Sequence, residues 1–209
     1  MAKKRKSPVA AKRKSSKQKT PQQKVPIWAW FAGGGVVLVL GVVGLFYLGV
    51  QGQSSAALGN IEGLVISPDP GRQHIDGDIQ YSQLVPSGGT HNPTWLNCGI
   101  FDEPVRRENV LHSMEHGAVW LAYASELPQD QVDVLRDLVR QERSRRGEPL
   151  IILAPFPGLE TPIVATAWRA QLELEDATDE RLQAFVDRFQ RGPFTPEPGA
   201  SCAFGGVMN

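Results

Sequence analysis

Apolar residues along this chain form one unbroken block and, after it, a series of short runs set apart by turn-forming residues. The block covers residues 27–50, which are 24 positions without a charge. At about 1.5 Å of rise per residue, a helix of that length spans a bilayer core of roughly 30 Å. Trp28, Trp30 and Tyr47 stand near its ends, where amphipathic rings favour the interface. The block therefore predicts a single transmembrane helix. A cleaved signal peptide, cut among residues 54–57, is the competing reading, but its apolar region would be only about 7–15 residues long. Residues 51–60 read as a flexible tether of Gln, Ser, Ala and Gly. Residues 61–209 are enough for one domain with a core of its own.

Within that domain the first half, to about Pro104, is rich in turn chemistry: Pro68-Asp69-Pro70-Gly71, Asp76-Gly77-Asp78 and Pro86-Ser87-Gly88-Gly89. It predicts only short strands, one of them near residues 61–66. The second half is more regular. Residues 117–123 and 150–154 are apolar runs of strand length, each read as a buried strand. Val132, Leu135, Leu138 and Val139 recur at helical spacing between Gln129 and Arg146, and Gly147 stops them. A third strand is expected over residues 162–168, running on through Leu172 and Leu174. Leu182, Phe185, Val186 and Phe189 form an i, i+3, i+4, i+7 stripe on a last helix, with Thr178 as its N-cap and Gly192-Pro193 as its end. A hairpin around Pro157-Gly158 favours a mostly antiparallel sheet. The predicted fold class is thus α+β: one N-terminal transmembrane helix, then a single domain with a mostly antiparallel sheet, two helices and a loop-rich first half.

Charge changes the picture by dividing the chain. The formal net charge is zero, yet ten Lys or Arg and no acid lie in residues 1–26. Removing those ten from 22 leaves 12 arginines against 22 acids after Val50, a net of −10. The positive-inside rule keeps the basic arm cytoplasmic and places the acidic domain across the membrane. The arm lacks apolar periodicity and reads as disordered, with anionic inner-leaflet lipid as its partner. An acidic outer domain repels nucleic acid and draws cations. Both cysteines, Cys98 and Cys202, fall on the oxidising side, where a disulfide between them is the default reading. The alternative is Cys98 as a thiolate ligand.

Candidate chemistry is concentrated. All four histidines lie between His74 and His116, a span of 43 residues, and the last two frame His112-Ser113-Met114-Glu115-His116. On a helix His112, Glu115 and His116 share one face while Met114 points elsewhere. His91 follows a Pro-Ser-Gly-Gly turn that can bring it alongside, and His74 is the least constrained. Imidazoles with a carboxylate suit zinc or copper, so His74, His91, His112, Glu115 and His116 are the candidate metal ligands. His-x-x-Glu-His also matches the inverted zincin pattern, in which two histidines hold zinc and the glutamate acts as base. That mechanism needs a further ligand such as Glu160 or Glu173. Ser113 lacks the glycines of a nucleophile elbow, and Gly88-Gly89 alone is no phosphate-binding fingerprint.

Several short motifs follow one another in a recognisable order: Tyr81, Pro86-Ser87-Gly88-Gly89-Thr90-His91, Cys98-Gly99-Ile100-Phe101-Asp102-Glu103-Pro104 and His112-Ser113-Met114-Glu115-His116-Gly117. Pro155-Phe156-Pro157-Gly158-Leu159, Ala167-Trp168 and Pro196-Glu197 before Cys202 complete the series. The sequence resembles the bacterial family catalogued as domain of unknown function 3105 over roughly Tyr81 to Cys202. Arg169 stands where a glycine often follows the tryptophan, and Gly89-Thr90 where Gly-Pro is more usual. The resemblance implies one membrane segment followed by a single domain of this size, and carries no activity with it. The residues themselves favour a membrane-anchored, extracytoplasmic metal-binding domain. The alternatives are an interaction domain of an envelope complex with structural histidines, and a zinc hydrolase using Glu115.

Overall fold

Two apolar runs become the middle of a six-stranded sheet. The computed structural model describes residues 60–207 apart from Pro149; the expected basic arm, the membrane helix at 27–50 and nearly all of the tether lie outside these. Among the described residues, no helix is long and apolar enough to cross a membrane. The elements are β1 (Val65–Ile66), β2 (Gly99–Ile100), α1 (Arg107–Glu115), β3 (Val119–Ala124), α2 (Gln129–Arg146), β4 (Ile151–Phe156), β5 (Ile163–Ala167), β6 (Ala170–Leu174) and α3 (Glu180–Phe189). The sheet runs β1-β6-β5-β3-β4-β2. Three of its pairings are antiparallel, while β3–β4 and β4–β2 are parallel.

The mostly antiparallel α+β architecture stands, with three corrections. Strands β4 and β5 do not pair through Pro157-Gly158, because β3 lies between them: Leu121 is opposite both Leu153 and Ala165. The parallel β3–β4 pairing instead uses α2 as its crossover, as parallel neighbours require. The apolar stretch after Pro162 is not one strand. It folds back at Trp168-Arg169 into the β5–β6 hairpin, with Ala167 opposite Ala170. Arg169 adopts φ +64°, the left-handed region in which glycine is the easiest occupant. The third correction is an additional helix, α1. A smaller one concerns α3: its cap is Asp179, which accepts the Arg181 amide at 2.9 Å, while Thr178 hydrogen-bonds to Asp176.

Alternation along β3 separates two cores. Val119, Leu121 and Tyr123 face α2 and α3, meeting Leu135, Val139, Phe185 and Phe189. Trp120 and Ala122 face the other way, toward Val110, Met114, Leu96 and the two cysteines. The α3 stripe of Leu182, Phe185, Val186 and Phe189 is wholly buried. Each such side chain contributes roughly 1.5–3 kcal/mol on burial, against roughly 1–2 kcal/mol per residue to fix the backbone. The helix holds because it docks on the sheet.

Helix α1 is different in kind. Eight consecutive residues from Glu108 to Glu115 are buried, five of them polar. Val110 and Met114 pack its apolar side into the core, and specific bonds hold its polar side. The Ser113 hydroxyl donates to the Leu96 carbonyl at 2.6 Å, Asn109 Nδ2 donates to the Thr94 carbonyl at 2.6 Å, and Glu108 accepts the Ile79 amide at 3.1 Å. These tie the long loops of the first half across the helix. Its end is set by Gly117 at φ +102°, where a β-carbon would lie 2.9 Å from the Arg191 Cα. Gly117→Ala meets both left-handed strain and a backbone clash, so a loss of about 3 kcal/mol is expected in denaturant unfolding.

Candidate metal centre

The C-terminal half of α1 presents His112 and Glu115 toward the loops that cross it. Glu115 is 1% exposed. His91 reaches it from the turn after Gly88-Gly89, with Nε2 2.9 Å from Glu115 Oε2. His74 is placed beside His91 by a short parallel bridge, in which Ile75 donates its amide to the His91 carbonyl and His91 donates to the Gln73 carbonyl. Its Nε2 lies 3.3 Å from the same Glu115 oxygen. The rings of His74 and His112 stack at 4.8 Å, and His91 packs edge-on against both. One ligand atom from each of His74, His91, His112 and Glu115 lies within 4.8 Å of the others.

Backbone carbonyls fix which nitrogen carries the proton. His91 Nδ1 is 2.7 Å from the Gly89 carbonyl, and His112 Nδ1 is 2.7 Å from the Asn92 carbonyl. A carbonyl only accepts, so Nδ1 donates in both rings and the neutral ring keeps its lone pair on Nε2. In a neutral ring the Nε2 lone pair of His91 would then face a carboxylate oxygen at 2.9 Å. Two acceptors at that distance repel unless a proton or a cation lies between them. An outer carbonyl that sets the tautomer and turns the ring is the usual support of a metal-binding histidine. Metal–ligand bonds of 2.0–2.2 Å in a tetrahedron set ligand atoms about 3.3 Å apart; the His91 and His74 contacts to Glu115, at 2.9 and 3.3 Å, are near that spacing, while the four ligand atoms together spread over up to 4.8 Å.

Burial lowers His112 from the usual 6.5 to about 4; the bond to Asn92 opposes this, and His116, His91 and His74 add to it. The ring is therefore neutral at pH 7. The unfolded chain takes up its proton near pH 6.5, whereas the folded ring resists until about pH 4. The stability from this group is complete above pH 6.5 and is lost as the pH falls through that window, by up to about 3 kcal/mol. In urea titrations of chelator-treated protein, His112→Gln is expected to flatten the decline between pH 6.5 and 4.

The structure brings together four of the five residues singled out from the sequence. His116 lies just past the end of α1, outside the group of four. Its Nδ1 donates to the Ser201 carbonyl at 2.7 Å and its Nε2 is 3.8 Å from Glu197. Cys98 is not a thiolate ligand, because it is bonded to Cys202. Met114 is buried in the apolar core, and Ser113 is occupied by Leu96. Glu160 and Glu173 line a separate cavity with Gln83 and Leu84. Glu115 sits inside the ligand group and His116 outside it, the reverse of the roles in an inverted zincin. Two neighbours were not singled out from the sequence. Arg72 Nη1 is 3.7 Å from Glu115 Oε1, and Trp168 packs edge-on to His91 at 5.7 Å. Trp168 stood in the Ala167-Trp168 motif of the family resemblance, and Arg72 stands two residues before His74.

Residues 73–204 match the model of the family described as "Protein of unknown function (DUF3105)". The match covers well over half of the chain and encloses all four grouped residues, and the chain belongs to that family. No curated protein and no solved structure matches it.

Proposed function

We propose that this member of the DUF3105 family is a membrane-anchored, extracytoplasmic domain that binds a transition metal through His74, His91, His112 and Glu115. The observation that carries the reading is the pair of carbonyl-fixed tautomers. They turn the Nε2 lone pairs of His91 and His112 inward, and the same side holds the Glu115 carboxylate. Three imidazoles and one carboxylate form a borderline donor set that suits Zn(II) or Cu(II). With the cysteines bridged and Met114 in the core, no sulfur among the described residues reaches the group, which favours Zn(II) or Cu(II) over Cu(I). His74, with its side chain 43% exposed, forms the open side through which an ion enters. The anchor rests on the apolar block at 27–50, and the basic arm on anionic lipid of the inner leaflet. The acidic outer domain adds general attraction for cations.

A scaffold with structural histidines is favoured at one position, His116, whose ring ties the segment around Ser201 to the end of α1. The test is metal analysis of the full chain, purified in detergent without a histidine tag and dialysed against zinc and then metal-free buffer. About one equivalent of retained zinc is expected. Metal-free protein with native folding would leave only the scaffold.

A further inference from the structure

Next to Trp168, which packs against His91, lies a cavity of about 300 Å³ lined by Asp69, Arg72, Trp168, Arg169, Phe194 and Pro196. Its charges are unbalanced toward the positive in a domain that is otherwise acidic. The Arg169 Nε donates to the Ser67 carbonyl at 2.9 Å and its guanidinium stands 4.7 Å above the Phe194 ring. No carboxylate pairs with it among the described residues. Arg72 is 58% exposed, and its one ion-pair partner among the described residues is Glu115 at 3.7 Å, beyond hydrogen-bonding distance. The single acid of the lining, Asp69, accepts the amide of Gly71 at 3.1 Å. Two guanidinium groups thus keep most of their donors free at the cavity, where Arg169 covers a face of Phe194 and Trp168 is 4% exposed.

The backbone adds a second, independent observation. Arg169 occupies φ +64° at the tip of the β5–β6 hairpin, where an L side chain costs energy and glycine costs little. A strained backbone that carries a charged side chain to the mouth of a cavity points to a use for that side chain.

We propose that this cavity binds a small organic carboxylate, its charged end held by Arg72 and Arg169 and its body in the remaining space beside Trp168 and Pro196. The guanidinium fork matches the two oxygens of a carboxylate. The proposal does not rest on metal binding, and its test is run on chelator-treated protein. Fluorine NMR of 4-fluorobenzoate, titrated into the full chain in detergent, reads occupancy directly. Saturable binding is expected, at least tenfold weaker in Arg169→Gly and in Arg72→Ala, with 4-fluorobenzyl alcohol failing to compete. Arg169→Gly suits the left-handed backbone, so it removes the guanidinium without unfolding the hairpin, which circular dichroism checks. Absence of saturable binding, or equal affinity in the wild type and both variants, overturns the proposal.

Discussion

Replacing His91 and His112 together by alanine is expected to weaken zinc binding by about 10⁴-fold, measured by competition with a chromophoric chelator. Apparent binding energies of roughly 10–16 kcal/mol shared by four ligands give about 3 kcal/mol, or about 100-fold, for each one lost. These two are the proposed ligands whose Nδ1 atoms lie on backbone carbonyls, which holds their Nε2 atoms for the ion. His116→Ala is the internal control: its ring is committed to Ser201, and affinity is expected to stay within a few-fold of wild type. A large loss in His116→Ala with little in the double variant would place the ion on the Ser201 and Glu197 side of His116 instead. Glu115→Gln separates binding from chemistry. As a ligand, Glu115 is expected to cost about 100-fold in affinity when its charge is removed, whereas a base standing off the ion would leave affinity nearly intact.

The second large effect concerns the Cys98–Cys202 disulfide, which joins residues 104 apart in sequence. A bridge closing a loop of about 100 residues stabilises by roughly 4–5 kcal/mol in the chain-entropy account. Both sulfurs lie in the core on the α1 side of the sheet, and the Cys98 amide donates to the Cys202 carbonyl. The bridge therefore holds the last segment against β2, from which Ser201 reaches His116. A Cys98→Ala, Cys202→Ala double variant is expected to unfold with a midpoint shifted by roughly that energy. An unchanged midpoint in urea would show that the segment is held by its hydrogen bonds alone.

Legibility in the sequence followed how locally each feature is encoded. Helix α2 was readable because Val132, Leu135 and Val139 repeat at helical spacing and Gly147, at φ +78°, ends it. The α3 stripe was equally plain. Helix α1 was not, because it is buried on all sides and carries Glu108, Asn109, His112, Ser113 and Glu115 where an apolar stripe would be. The insertion of β3 between β4 and β5 is a long-range choice that no local pattern records. At the site, spacing along α1 was enough to put Glu115 beside His112, and the confinement of four histidines to 43 residues pointed to a cluster. The bridge that sets His74 against His91, and the carbonyls of Gly89 and Asn92 that fix the tautomers, arise only when separate stretches fold together. The same is true of Ser201, which draws His116 aside.

All of the proposed chemistry depends on Nε2 atoms from two loops and a helix closing on a single cation next to Glu115. Anomalous diffraction from crystals of the zinc-treated protein, recorded on both sides of the zinc edge, locates that ion directly. The expected result is one strong peak bounded by Nε2 of His74, His91 and His112 and by a Glu115 oxygen, with both Nδ1 atoms still on their carbonyls. A peak elsewhere on the acidic surface, or none beside an ordered His91–Glu115 contact, would contradict it and leave a shared proton as the group that joins them.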